Sequence, residues 1–267
     1  VGGECLNYGC IPSKALLKAA ESRSIAENLK QYGVQMQGKT LVEDPLQIVR
    51  DKVNDISGPK TMKMFDKVDM ILQKGTAEFV DAHTVLADGK RYQAKKIFIA
   101  TGTEPFIPPV PGLREIPSLT NLNIFEQESI PKTLTIIGGG AIGSEMAQAF
   151  SRLGSHVTIV HMDAHLLPAG DEEAGRVLEE NLKKEGIQVF NNTRILKAEH
   201  ADGQVKIETD AGQFVSEKLL VAAGRKPNLD ALKLDKAGIR FNKKGITVNQ
   251  YLQTNRKHIY AVGDCNG

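Results

Sequence analysis

The chain has 267 residues, with 34 Lys and Arg against 32 Asp and Glu, a formal net charge of +2. Charged residues make up 25% and hydrophobic ones 41%, the balance of a globular protein of one large or two medium domains rather than a disordered chain. This composition argues against nucleic acid as the main partner, no uncharged apolar run is long enough for a membrane helix, and three cysteines cannot staple a secreted scaffold.

The chain starts at Val1, directly before a cysteine pair, and stops in the loop Gly263–Gly267. Both ends read as those of a fragment, with any targeting segment upstream. Pro12 and Ser13 lead into a run of helix formers, Lys14 to Ala20, closed at Gly33. A second helix is predicted from Asp44-Pro45 to near Phe65, broken at Pro59. Met70-Ile71-Leu72, Glu78-Phe79-Val80 and Thr84-Val85-Leu86 read as strands, and Asp88-Gly89 as a hairpin turn. Strand Lys96 to Ala100 ends in Thr101-Gly102. Prolines at 105, 108, 109, 111 and 117 then mark a connection and a domain boundary.

From residue 133 the order is strand (Leu134 to Ile137), glycine cluster, helix (Ala141 to Leu153) and strand (His156 to Val160). That is a βαβ unit and implies a parallel sheet. A helix over about 171–185, a strand near 187–190, a β-meander (195–199, 205–209, 214–216) and the strand 219–223 follow.

Gly138-Gly139-Gly140-Ala141-Ile142-Gly143 is a GxGxxG that follows a strand and opens a helix, the context that makes it a dinucleotide-binding turn. Its glycines permit the tight turn and close approach of a pyrophosphate, which the helix N–H groups hold. The carboxylate expected about 20 residues on, for a ribose hydroxyl, is replaced by His161, with Asp163 two positions later. No Arg or Lys lies between 161 and 175 to clamp a 2′-phosphate, so the choice of NAD or NADP stays open.

Cys5 and Cys10 are five positions apart, a separation that a distorted helical turn can bring within disulfide reach. A thiol at a helix N-terminus suits thiol–disulfide exchange. Two other readings stand beside this one: a zinc site, for which Cys265 and six scattered histidines supply no second ligand pair, and two inert buried thiols. No metal ligands are assigned.

The stretch Gly2-Gly3-Glu4-Cys5-Leu6-Asn7-Tyr8-Gly9-Cys10-Ile11-Pro12-Ser13-Lys14 resembles the redox motif of the flavin-dependent pyridine nucleotide–disulfide oxidoreductases, in particular the dihydrolipoamide dehydrogenase and mercuric reductase branch. Ala100-Thr101-Gly102, the turn at 138–143, Gly224-Arg225-Lys226-Pro227-Asn228, Thr254 and Ala261-Val262-Gly263-Asp264 follow in the family's order. The resemblance implies a glutathione reductase-like α/β fold with two Rossmann-like domains, parallel sheets and β-meanders. Its divisions would be a flavin stretch at 1–117, a nicotinamide stretch at 118–228, and a return to the flavin domain at 229–267.

By the same resemblance, Cys5 and Cys10 form the redox-active disulfide, with Cys10 facing FAD and Cys5 meeting the external dithiol. Lys14 lies beside the flavin and pairs with Glu145. Ala77, Thr101, Gly102, Thr103 and Asp264 touch FAD. Gly138, Gly139, Gly140, Ala141, Ile142, Gly143, Ser144, His161, Ile195 and Gly224 line the site for NAD, with NADP not excluded. The activity implied is transfer of electrons between the nicotinamide and a dithiol, dihydrolipoamide first, in a cytoplasmic homodimer serving cell redox homeostasis or a 2-oxo acid dehydrogenase complex. A mercuric reductase-like enzyme, a flavin monooxygenase and a non-catalytic nucleotide-binding module are the alternatives. The family's first GxGxxG is not present ahead of Cys5. Its C-terminal interface domain, with a His–Glu acid–base pair, would lie beyond residue 267.

Overall fold

The computed structural model describes residues 3–34, 42–57, 59–72 and 75–267; Val1 and Gly2, the latter part of the cysteine motif, lie outside them. Helices α1 (Gly3–Asn7) and α2 (Cys10–Asn28) carry the two cysteines, and α2 runs through a 3-10 turn to Gly33 at φ 78°. Asp44 Oδ1 accepts from the Gln47 amide at 2.8 Å to start α3 (Pro45–Ser57). Pro59 then opens a separate α4 (Pro59–Lys63), because a proline lacks the N–H an interior turn needs but tolerates a first-turn position.

A meander follows: β1 (Glu78–Phe79), β2 (Thr84–Ala87) and β3 (Lys90–Gln93), with the two-residue turn Asp88-Gly89 at φ 50° and 72°. Next come β4 (Ile97–Ile99), β5 (Thr103–Pro105), β6 (Thr133–Ile137), α5 (Ala141–Arg152), β7 (His156–Val160), α6 (Glu172–Lys184) and β8 (Gln188–Phe190). The chain continues through β9 (Ile195–Ala201), β10 (Gln204–Thr209), β11 (Gly212–Ser216), β12 (Lys218–Val221), β13 (Arg225–Pro227), β14 (Phe241–Asn242), β15 (Gly245–Ile246) and β16 (Ile259–Ala261).

The contacts divide the chain into two units, Val1–Met64 with Pro105–Gly224 and Phe65–Glu104 with Arg225–Gly267. In the first, the parallel sheet has the order β12-β6-β7-β8, with Ile136 level with both Ile159 and Leu220. Its core joins Leu134, Ile136 and Ile159 of the sheet to Met146 and Phe150 of α5 and to Leu16 and Leu46 of α2 and α3. Phe150 and Leu16 are fully buried, and truncating Phe150 to alanine should cost about 3–5 kcal/mol. The meander β9–β11 packs over a smaller cluster that includes Leu113, Ile137, Ile207 and Val221. In the second unit, β16 lies parallel to β4 (Ile259 with Ile97, Ala261 with Ile99), over Phe79, Leu232, Leu234 and Ile246.

The expected flavin stretch 1–117 thus falls on both units, because α2 buries one face against α3 and α5. Met70-Ile71-Leu72 forms no strand: these residues are 36%, 50% and 50% exposed, and none of the described strands pairs with them. The fold class is otherwise the α/β arrangement expected, with parallel pairing in each unit.

Candidate active site

Cys10 is the first residue of the 19-residue helix α2, and Gly9 is its N-cap with no side chain closing the turn. Cys5 stands in α1, and the two sulfurs are joined, their Cα atoms 4.7 Å apart and within ordinary disulfide range. Both residues are exposed. Four residues on, Lys14 Nζ donates to both carboxylate oxygens of Glu145, at 2.5 and 2.7 Å. Glu145 belongs to α5, so this ion pair ties the start of the cysteine helix to the start of the glycine-loop helix. Cys10, Lys14, Ala141, Ile142 and Glu145 line one cavity of about 240 Å³, closed by Ile124, Phe125, Met146 and Leu220. A thiolate released at Cys10 would sit at a positive helix end, with the Lys14 ammonium one turn away.

The GxGxxG turn sits between β6 and α5. Gly138 has φ 109°, and a Cβ on Gly143 would overlap the Gly138 carbonyl oxygen, so both positions need glycine. Above Gly140 there is open space within 4 Å, and no side chain caps α5. Ser144 is buried, its Oγ donating to the Gly139 carbonyl at 3.3 Å. Ile195 packs on the cluster around Ile137 and Val221, and Gly224 has φ 120°.

His161 is 5% exposed. Its Nδ1 accepts from the Gly139 amide at 3.0 Å, and its Nε2 is 3.1 Å from the His165 carbonyl oxygen. The Leu167 amide donates to the Gly139 carbonyl at 2.8 Å, so residues 161–167 wrap under the loop. The imidazole supports the loop from beneath, while the nearby Asp163 carboxylate is 58% exposed. Sequence spacing alone carries no signal for this inward turn. Beside it, Glu179 of α6 accepts from Lys183 Nζ and Asn191 Nδ2, each at 2.6 Å. Burial pushes the Glu179 carboxyl up, but these two hydrogen bonds together with the Lys183 charge hold it below the usual carboxylate range.

In the second unit, Thr103 Oγ1 accepts from Arg225 Nε at 2.7 Å and lies 3.5 Å from Asp264 Oδ2. Gly102 has φ 63°, and its carbonyl accepts from the Asn228 amide at 3.0 Å. Ala77 and Thr101 line a cavity of about 380 Å³ with Thr76, Glu104 and Asn228. The sequence alone assigned no role to Arg225, which fixes Thr103 through both its hydroxyl and its carbonyl.

These features define a dinucleotide-binding α/β protein with a thiol–disulfide site. All of residues 1–267 match the family model described as pyridine nucleotide-disulphide oxidoreductase, and the chain belongs to that family. It is 37% identical to a mercuric reductase of Lysinibacillus sphaericus over 99% of the chain and 50% of that protein. It is 34% identical to a dihydrolipoyl dehydrogenase of Bacillus subtilis over 100% of the chain and 60% of that protein. The solved structure of the HOCl-induced flavoprotein disulfide reductase RclA from Escherichia coli superposes with a TM-score of 0.87 at 29% identity, covering 100% of this chain and 58% of RclA. The chain therefore spans about half the length of the curated relatives it matches.

Proteins of this family contain FAD and use NAD(P)H. The residues present suit both groups. Uncapped α5 amides below the open space at Gly140 suit a pyrophosphate. The Thr103 and Asp264 oxygens, with the cavity beside Ala77 and Thr101, suit a polyhydroxylated ligand.

Proposed function

We propose that the whole protein is an FAD-dependent dihydrolipoamide dehydrogenase working through Cys5 and Cys10. The observation that carries this reading is the joined cysteine pair at the N-terminus of α2, sharing a cavity with the Lys14–Glu145 ion pair and the start of α5. A thiolate of dihydrolipoamide attacks Cys5, the S–S bond breaks, and Cys10 leaves as a thiolate held by the helix end and Lys14. The second substrate thiol then attacks the mixed disulfide, releasing lipoamide and the Cys5 thiol. Bound FAD supplies the relay by which this electron pair reaches NAD⁺, giving NADH and a proton.

Gly138, Gly139, Gly140, Ala141, Ile142, Gly143 and Ser144 would hold the nicotinamide dinucleotide, with Ile195 and Gly224 at its edge and Asp163 rather than the His161 ring nearest the ribose. Ala77, Thr101, Gly102, Thr103 and Asp264 would hold FAD. We place the enzyme in the cytoplasm as a homodimer, free or within a 2-oxo acid dehydrogenase complex; among the described residues, no helix is long and apolar enough to cross a membrane. The identity to mercuric reductases favours a second reading, in which NAD(P)H drives reduction of a mercuric ion held by the thiols.

Steady-state assays of the whole FAD-loaded protein separate the two. NADH formation from dihydrolipoamide, abolished in Cys5→Ser, supports the first reading. Mercury-dependent NADPH oxidation without dihydrolipoamide turnover would replace it with the second.

A further inference from the structure

Asn121 lies 117 positions from Glu4, yet its Nδ2 donates to Glu4 Oε1 at 2.7 Å and to the Tyr8 carbonyl at 3.3 Å. Glu4 directly precedes Cys5, and Tyr8 stands two residues before Cys10. One side-chain amide therefore grips both ends of the segment between the sulfurs. The carbonyls at the end of a helix as short as α1 have no partner within it, and the Asn121 amide supplies one. The bond to Glu4 is charge-assisted and correspondingly stronger.

Asn121 is itself firmly held, being only 7% exposed. Two residues before it, Leu119 joins the sheet edge: its amide donates to Leu219 at 2.7 Å, and its carbonyl accepts from Val221 at 2.8 Å. The Thr120 amide donates to Asn123 Oδ1 at 2.8 Å, and the Leu122 amide to Thr120 Oγ1 at 3.2 Å, closing the turn around it. The cysteine segment is thus pinned to the rim of the parallel sheet by a contact that does not involve either sulfur.

We propose that Asn121 and Glu4 are positioning residues for the redox pair. While the disulfide is intact, the cross-link itself fixes Cys5 against Cys10. Once it is reduced, the clasp remains and helps to hold α1 beside the start of α2. Holding the two thiols together raises their effective concentration, which favours re-formation of the disulfide and makes the dithiol a stronger reductant. The proposal rests on the redox reading of Cys5 and Cys10.

The test equilibrates the whole FAD-loaded protein, without oxygen, in mixtures of reduced and oxidised dithiothreitol. Each dithiothreitol that closes to its cyclic disulfide loses two electrons and two protons, and Cys5–Cys10 gains the two electrons as a Cys5 thiol and a Cys10 thiolate, the second proton passing to the buffer. Alkylation and mass spectrometry of the peptide carrying Cys5 and Cys10 count the product. Asn121→Ala is expected to weaken the protein disulfide about tenfold, or about 30 mV for this two-electron couple. Glu4→Ala, at a half-exposed position, shifts the balance the same way and serves as the test if Asn121→Ala does not fold.

Glu4→Gln keeps an acceptor oxygen and stays close to the wild type. The double variant shifts no further than the larger single one, because both remove the same contact. Additive shifts, a Glu4→Gln as displaced as Glu4→Ala, or an Asn121→Ala that titrates with the wild type overturn the proposal alone. A wild-type pair that stays oxidised throughout the series overturns both the proposal and the redox reading beneath it.

Discussion

Gly139 and His161, 22 positions apart, are joined by a buried hydrogen bond from the glycine amide to Nδ1 of the imidazole, 3.0 Å long. That bond places the ring hydrogen on Nε2, where it donates to the His165 carbonyl. The imidazole is thereby committed on both sides to shaping the dinucleotide loop.

His161→Ala would leave the buried Gly139 amide without an acceptor, a loss of about 1–3 kcal/mol. Its urea midpoint should fall, and NADH should bind more weakly. His161→Asn offers Oδ1 near the place of Nδ1 and should recover most of both. Neither change should alter the ratio of NADH to NADPH affinity, because the ring lies under the loop. A clear change in that ratio, measured by calorimetric titration, would show that residue 161 reaches the ribose.

The Lys14–Glu145 pair yields a different pattern. The two side chains are 60% and 35% exposed, and an ion pair so open to water contributes at most about 1 kcal/mol to stability. Lys14→Met and Glu145→Gln should therefore melt close to the wild type. Dithiol turnover should nevertheless fall on the order of 10²-fold in each, since a positioned charge beside a reacting centre is worth that much. The double variant should be little worse than either single one. Additive losses in kcat would show that the two act separately.

Much of this architecture could be read from local signals. The unit from Thr133 to Val160 is legible because a strand, a glycine turn and a helix each carry their own signature, and Asp88-Gly89 admits few other conformations. Met70-Ile71-Leu72 has the residue types of a strand, but pairing depends on a neighbour that three residues cannot announce. The cysteine pair was legible mainly through its resemblance to a family motif, since spacing alone left zinc and inert thiols open. Position 161 was legible as a strand end, while the direction of its ring depends on how residues 162–167 fold back. Asn121 gave no local signal, because its partners at Glu4 and Tyr8 arrive only through tertiary packing.

Glu179 provides a pH prediction. Its carboxyl is held below the usual carboxylate range, against the effect of burial, by hydrogen bonds from Lys183 and Asn191 and by the Lys183 charge. A lowered carboxyl adds stability that is present above the unfolded value and lost as pH falls through the folded one. Glu179→Gln should be less stable than the wild type near neutral pH by about 1 kcal/mol, the worth of a typical hydrogen bond. Between pH 5 and 3 the variant should lose less stability than the wild type, and the two urea midpoints should converge. Parallel decline across that range would mean that Glu179 carries no linked proton.

The cysteines themselves give the most direct test of the site. Cys10 opens α2, whose uncapped N-terminus and Lys14 favour a thiolate over a thiol. In the whole FAD-loaded protein, Cys5→Ser leaves Cys10 permanently free, and its thiolate beside oxidised flavin should add a long-wavelength absorption band without any reductant. That band should fade as acid protonates the thiolate. Cys10→Ser should lack the band at every pH, because in the proposed arrangement the remaining Cys5 thiol would face the substrate side. Both variants should lose dihydrolipoamide turnover while retaining FAD. A merely structural disulfide would behave otherwise, with both variants melting earlier and neither showing the band. An ordinary oxidised-flavin spectrum for Cys5→Ser from neutral to alkaline pH, together with retained turnover, would remove Cys5 and Cys10 from the reaction.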